Sequence, residues 1–163
     1  MIENIKIVIE TVNESGWGTK FALWENVREH AKKNALLFMT ANKMPDADAV
    51  ALLDFTVMKT GEEGCLISKD GIYFNRLRDK IDLKSLKTVS ANKKMLTFTY
   101  ENGESTPVKV DRMAQYIADT INEFIRLRDG GEPKQKKKDE PSQGGPDVVI
   151  VQKSKNNPFS FKL

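Results

Sequence analysis

Between Ala49 and Val110 the chain is cut into short apolar runs by turn-forming residues, and this spacing constrains the fold more than any other feature. Lys59-Thr60-Gly61-Glu62, Lys69-Asp70-Gly71, Ala91-Asn92-Lys93-Lys94 and Glu101-Asn102-Gly103-Glu104 each interrupt a run. Asp-Gly and Asn-Gly steps favour tight hairpins because they tolerate positive φ. The runs between them, AVALLDFTV from Ala49, GCLIS from Gly64, Ile72 to Phe74, Ile81 to Leu83, Leu86 to Ser90, MLTFTY from Met95 and Thr106 to Val110, are too short for helices. Leu96, Phe98 and Tyr100 alternate with Thr97 and Thr99, as in a strand buried on one face. Six or seven strands are expected.

A helix is expected on either side of this series. Phe21, Trp24, Val27, Ala31, Ala35 and Phe38 recur at intervals of three and four, predicting a helix over 19–44 with Thr19 as N-cap, ending near Thr40 before Pro45. Asp111 is placed to cap a last helix running to Arg128, with Met113, Ile117, Ile121 and Phe124 as its buried stripe, Tyr116 and Ile125 widening it, and Gly130 and Gly131 stopping it. In residues 1–18, Ile5, Ile7 and Ile9 alternate, which favours a strand, although a helix is possible at this length.

Composition divides the rest. Residues 129–146 (DGGEPKQKKKDEPSQGGP) contain no Ile, Leu, Val, Met or aromatic side chain, and such a stretch buries too little to offset its ordering entropy. It is expected to link the strand-rich domain, 45–128, to an interaction tail, 147–163, that carries Val148, Val149, Ile150, Val151, Phe159 and Phe161. A β-branched segment after a linker suits strand addition to a sheet edge of this protein or another. The whole chain has 26 Lys+Arg against 23 Asp+Glu, far from the balance of a dedicated nucleic-acid binder. The single cysteine, Cys65, excludes an intramolecular disulfide, and with no charged leader before an apolar stretch the expected location is the cytoplasm.

Ala49 to Phe74 resembles the opening of bacterial domains with a pleckstrin-homology-like (PH-like) fold. The matching residues are Asp54, Thr56, Gly61, Gly64, Lys69, Asp70, Gly71, Ile72 and Tyr73. The later strands, the helix from Asp111 and a preceding helix with Glu25, Asn26, Ala31 and Lys32 fit the same plan, so the resemblance spans roughly residues 20–128. It implies an α+β domain: a strongly bent antiparallel sandwich or barrel of six to seven strands, capped by a C-terminal helix and preceded by a helical extension. It also implies a binding or assembly module. Lipid-binding members hold phosphoinositides with several cations at the first hairpin, whereas Val57 to Ser68 offers Lys59 alone beside Glu62 and Glu63, which argues against that ligand.

Signals of catalysis are sparse. His30 is expected on a helix surface, and Cys65 as a small buried hydrophobe inside a strand. Trp17 and Trp24 are expected in packing. Asp46, Asp48 and Asp54 lack calcium-loop spacing, and no Cys/His spacing suits zinc, so neither cofactor nor metal is expected. Lys69, Arg76, Arg78, Lys80, Lys84, Lys87, Lys93 and Lys94 form the densest basic set, interrupted by Asp70, Asp79 and Asp82. The expected function is therefore non-catalytic binding of a protein partner, or self-assembly through the tail and a sheet edge. The alternative is an anionic surface, nucleic acid or membrane lipid, bound by Arg76, Arg78, Lys93 and Lys94.

Overall fold

A computed structural model describes residues 2–14, 20–75, 77, 79–110 and 112–132. The Val148 to Val151 segment, Phe159 and Phe161 fall outside them, as do Arg76, Arg78, Trp17, Thr19 and Asp111. The architecture is α+β, with two antiparallel sheets and a C-terminal helix.

Helix α1 runs Ile2–Glu14, β1 is Ala22–Leu23, a 3-10 turn spans Trp24–Asn26, and α2 is Glu29–Thr40. A second 3-10 turn, Asp46–Asp48, precedes β2 (Ala49–Asp54), β3 (Gly64–Ser68), β4 (Gly71–Phe74), β5 (Ile81–Asp82), β6 (Leu86–Asn92), β7 (Met95–Tyr100) and β8 (Ser105–Lys109), and α3 is Ala114–Arg128. One sheet has the order β1-β2-β3-β4-β5 and the other β6-β7-β8. The hairpin turns fall where their sequences place them, and seven strands lie between Ala49 and Lys109.

The five-stranded sheet is buried on both faces, which is why β2 and β3 read as continuous apolar runs. Leu52 and Leu66 face a cluster completed by Trp24, Ala35, Met39 and Met44 under α2. On the other face Ala51, Leu53, Cys65, Ile67, Ile72 and Phe74 join the main core with Leu96 and Phe98 of the smaller sheet and Ile117, Ile121 and Phe124 of α3. Phe74 and Phe98 meet edge to face between the sheets, ring centroids 6.0 Å apart. Helix α3 lies against β6, and its Asn122 amide binds the Val89 backbone on both sides, accepting from N–H at 2.8 Å and donating to C=O at 2.7 Å. Arg128 closes the other end, donating to the carbonyls of Leu83, Lys84 and Leu86.

Three expectations are corrected. Residues 2–14 are helical and not a strand: Ile5, Val8 and Ile9 are buried at helical spacing, and this face packs on α3, so the Ile5/Ile7/Ile9 alternation was a coincidence of an Ile-rich segment. The helix expected over 19–44 begins only at Glu29. Phe21 is buried ahead of it, Ala22 and Leu23 pair with β2, and Trp24 lies in the 3-10 turn, so a three-and-four spacing ran across three separate elements. Phe38, the last residue of that spacing, is half exposed. Finally, α3 starts at Ala114, after Met113 in the left-handed conformation (φ 66°), and not at Asp111. Its expected stripe of Ile117, Ile121 and Phe124 is buried as read, and Gly130, at φ 90°, follows its end.

The N-terminal elements are joined to α3 by one polar junction. Tyr116 Oη donates to Asn13 Oδ1 at 2.8 Å and accepts from the Phe21 N–H at 3.1 Å, while Asn13 Nδ2 donates to the Phe21 carbonyl at 2.7 Å. The rings of Tyr116 and Phe21 stack at 5.8 Å. Tyr116→Phe removes the hydroxyl and leaves the Phe21 amide without its acceptor; we expect a loss of about 1–2 kcal/mol, read by chemical denaturation. A change within about 0.5 kcal/mol, as at an ordinary surface position, would show that the junction is not structural.

Candidate functional site

Asp54 ends β2 with its side chain buried, at 7% exposure. Its Oδ1 accepts from the Thr56 N–H at 2.8 Å and the Thr56 hydroxyl at 2.6 Å, and its Oδ2 accepts from the Gly61 N–H at 2.8 Å. Thr56 Oγ1 in turn accepts from the Thr60 N–H at 2.8 Å, and the Lys59 ammonium donates to the Asp54 carbonyl at 2.9 Å. Loop 55–63 is therefore wound around one carboxylate. Asp-x-Thr sequences favour this because a short acceptor side chain can bond the amide two residues on.

The loop is also fastened to α2. Asn34 Nδ2 donates to the Thr60 carbonyl at 2.9 Å, and Gly61 sits so close that a Cβ there would lie 2.2 Å from the Ala31 carbonyl oxygen. With φ at 78°, Gly61 is the position where a side chain is excluded twice over. Held in this way, the loop projects Val57 and Met58 into solvent at 86% and 77% exposure. On α2, Leu37 and Phe38 lie one turn beyond Asn34 and are each half exposed. These are four of the six large exposed apolar side chains among the described residues.

Beside the loop is a cleft of about 320 Å³. Lys20, Arg28 and Lys59 line it with Ala22, Val27 and Leu52. Arg28 is the N-cap residue of α2 and makes no capping bond with its side chain. The Lys20 ammonium donates to the Asn13 carbonyl. Of these three cations only Lys59 stands out in the sequence, because Lys20 and Arg28 arrive through the folding of a separate segment.

Comparison with protein-family models, with curated proteins and with solved structures finds no match to this chain.

The other candidates separate. Lys93 and Lys94 are exposed at the β6–β7 turn of the smaller sheet. Lys69, in the β3–β4 turn, and Lys80, just before β5, are ion-paired, Lys69 with Asp48 at 2.7 Å and Lys80 with Asp70 at 2.6 Å. Asp46 accepts from the Trp24 indole N–H at 3.0 Å, and Trp24 is buried as expected. Among the described residues no group of three or more His, Cys, Asp or Glu is placed to hold a metal ion. Cys65 is fully buried in β3, and burial pushes its thiol far above the ordinary range; His30 is exposed on α2. No helix among the described residues is long and apolar enough to cross a membrane.

We expect Asp54→Asn to cost about 2 kcal/mol, since an amide would set a donor against the Gly61 N–H. Gly61→Ala should cost at least as much, through strain at positive φ and the clash with Ala31. Urea denaturation of both variants checks this, and unchanged midpoints would mean that the loop is held by something else.

A second expectation concerns pH. The hydrogen bond from Lys80, aided by Ser68 and by charge, holds the Asp70 carboxyl below the usual carboxylate range against burial, and the same bond raises Lys80. A depressed folded pKa stabilises above the unfolded value, about 3.9 for Asp, and that stability is lost as pH falls through the folded pKa. The melting-temperature gap between the parent and Lys80→Gln should thus be full near neutrality and close as acid titrates Asp70. A gap that persists at the lowest pH would contradict this.

Proposed function

We propose that this chain is a non-catalytic binding or assembly module of PH-like fold, acting in the bacterial cytoplasm on a protein partner or on further copies of itself. The observation that carries the reading is the pair Val57 and Met58, almost wholly exposed on a loop that is pinned in place. Apolar side chains on a mobile loop can fold back; here the carboxylate of Asp54 fixes the loop, so their exposure is a built property. Leu37 and Phe38 extend the apolar surface on the helix to which the loop is tied. Large apolar side chains left exposed on two elements that are tied together suit an interaction site. Seven strands followed by one helix support the PH-like reading.

The sheet edges are less receptive than this patch. On either side of β8, Glu104 and Val110 bond Tyr100 and Lys94 through backbone groups, so the backbone groups of Ser105, Pro107 and Lys109 face outward, and Pro107 has no N–H to offer an added strand. On β6, Asn122 occupies Val89. The edge strands β1 and β5 have two residues each. An apolar segment such as Val148 to Val151 or the pair Phe159 and Phe161 therefore suits the Leu37/Phe38/Val57/Met58 surface better than a sheet edge.

Light scattering after size exclusion tests this with the full chain, a chain ending at Glu132, and Met58→Asp. We expect the full chain to run above monomer mass in a concentration-dependent way and the other two to be monomeric. Should all three be monomers, self-association is wrong. Should the two variants assemble like the full chain, neither tail nor patch is the contact.

A further inference from the structure

We infer that the cleft beside the Asp54 loop is a binding site for a phosphate monoester carrying an apolar body. This goes beyond the protein-binding reading and is independent of it. The cations that line the cleft come from three segments: Lys20 ahead of β1, Arg28 at the start of α2, and Lys59 in loop 55–63. Among the described side chains none of the three has a carboxylate partner. Lys20 and Lys59 each donate to a backbone carbonyl, a contact that brings no negative charge to either ammonium. The acidic residues nearest Lys20 and Arg28 in sequence are already engaged, Glu25 with Lys6 at 3.4 Å and Glu29 with Lys32 at 2.8 Å, and Glu62 and Glu63, which follow Lys59, are not among the residues that line the cleft.

Charge then selects the ligand. Asp54 also lines the cleft, but both its oxygens are bonded within the loop, and against three cations it leaves a net of two positive charges. A carboxylate supplies one negative charge. A phosphate monoester supplies about 1.5 to 2 at neutral pH and offers three acceptor oxygens. Arg28 suits it further, because a guanidinium binds phosphate through two parallel N–H groups. The volume, about 320 Å³, lies in the range of small-molecule sites and exceeds what a bare phosphate needs. The remainder is floored by Ala22, Val27 and Leu52, so the rest of the ligand is apolar. Such a group occurs on soluble aryl or alkyl phosphates and on phosphatidic acid in a bilayer, and the same cations would read either.

The test uses the full chain, with phenyl phosphate and inorganic phosphate titrated by isothermal calorimetry, and sedimentation with phosphatidylcholine vesicles with and without phosphatidic acid. We expect saturable binding of phenyl phosphate, weaker binding of inorganic phosphate, and a loss of about tenfold in Arg28→Gln, the scale of one charged hydrogen bond. Lys20→Gln should weaken it similarly, and Arg28→Lys should lose less than Arg28→Gln. The Arg28 side chain has no bond among the described residues, so Arg28→Gln should keep the parent's melting temperature. Binding of phenyl phosphate without vesicle binding makes the ligand soluble; vesicle binding that requires phosphatidic acid and is displaced by phenyl phosphate makes it lipid-borne. Absence of saturable binding to any probe, or binding that Arg28→Gln and Lys20→Gln leave unchanged, overturns the site. Inorganic phosphate binding as tightly as phenyl phosphate would overturn the apolar part.

Discussion

A charged carboxylate at 7% exposure is costly to bury unless every oxygen is bonded, and Asp54 meets that condition through Thr56 and Gly61. The rest of the candidate site follows from that requirement. Satisfying Oδ1 turns the chain sharply after β2, and satisfying Oδ2 brings Gly61 back to the strand end. Between them the chain has to bulge outward, which is where Val57 and Met58 stand. Lys59 then lies at the return, in the left-handed conformation with φ 55°, its ammonium on the Asp54 carbonyl. One buried acid thus fixes both an apolar tip and one wall of the cationic cleft.

The position of Lys20 depends on a junction elsewhere in the molecule. Lys20 is held by the carbonyl of Asn13, the residue whose side chain binds Tyr116 and Phe21. Tyr116 is not a lining residue of the cleft, yet it ties α1, α3 and the lead into β1 together, and so sets where Lys20 can be. Arg28 is placed differently, by the point at which α2 begins, and α2 is anchored through Ala31 against Gly61 and through Ala35 and Met39 in the Trp24 cluster. The three cations converge because three independent packing problems are solved at one corner. This is also why no linear motif announces them.

That difference accounts for what was legible in the sequence. Hairpins at Lys69-Asp70-Gly71 and Asn102-Gly103 could be placed because turn geometry is decided by a few adjacent residues. The buried face of α3 could be read because one helix obeys one period over its length. Residues 2–14 and 19–44 misled for the converse reason. Ile5, Val8 and Ile9 become a helical face only through packing on α3, and a segment of thirteen residues is short enough to satisfy either period. In 19–44 the apolar spacing was real, but each residue answered to a different neighbour: Phe21 to Tyr116, Trp24 to Asp46, Ala31 to Gly61. The cleft required contacts between residues far apart in the chain, and Asp54 stood in the sequence as a residue of the PH-like resemblance without calcium-loop spacing, with nothing to show that its carboxylate is buried.

The distribution of exposed groups decides how such a domain can associate. A two-sheet protein has open strand edges that invite pairing with other chains. Here each is blunted by a different device: Pro107 removes the central outward donor of β8, the Asn122 amide stands in for a neighbouring strand at Val89, and β1 and β5 are too short to template a ladder. Backbone pairing at these edges is disfavoured, whereas Leu37, Phe38, Val57 and Met58 remain uncovered by any described residue. On the proposed binding role, association rests on side-chain contacts with a pinned surface, which only a complementary partner can make, and not on backbone hydrogen bonds, which any chain can make. On that reading specificity resides in the Asp54 loop and in α2, to which the loop is tied, and the strands serve to hold that corner rigid.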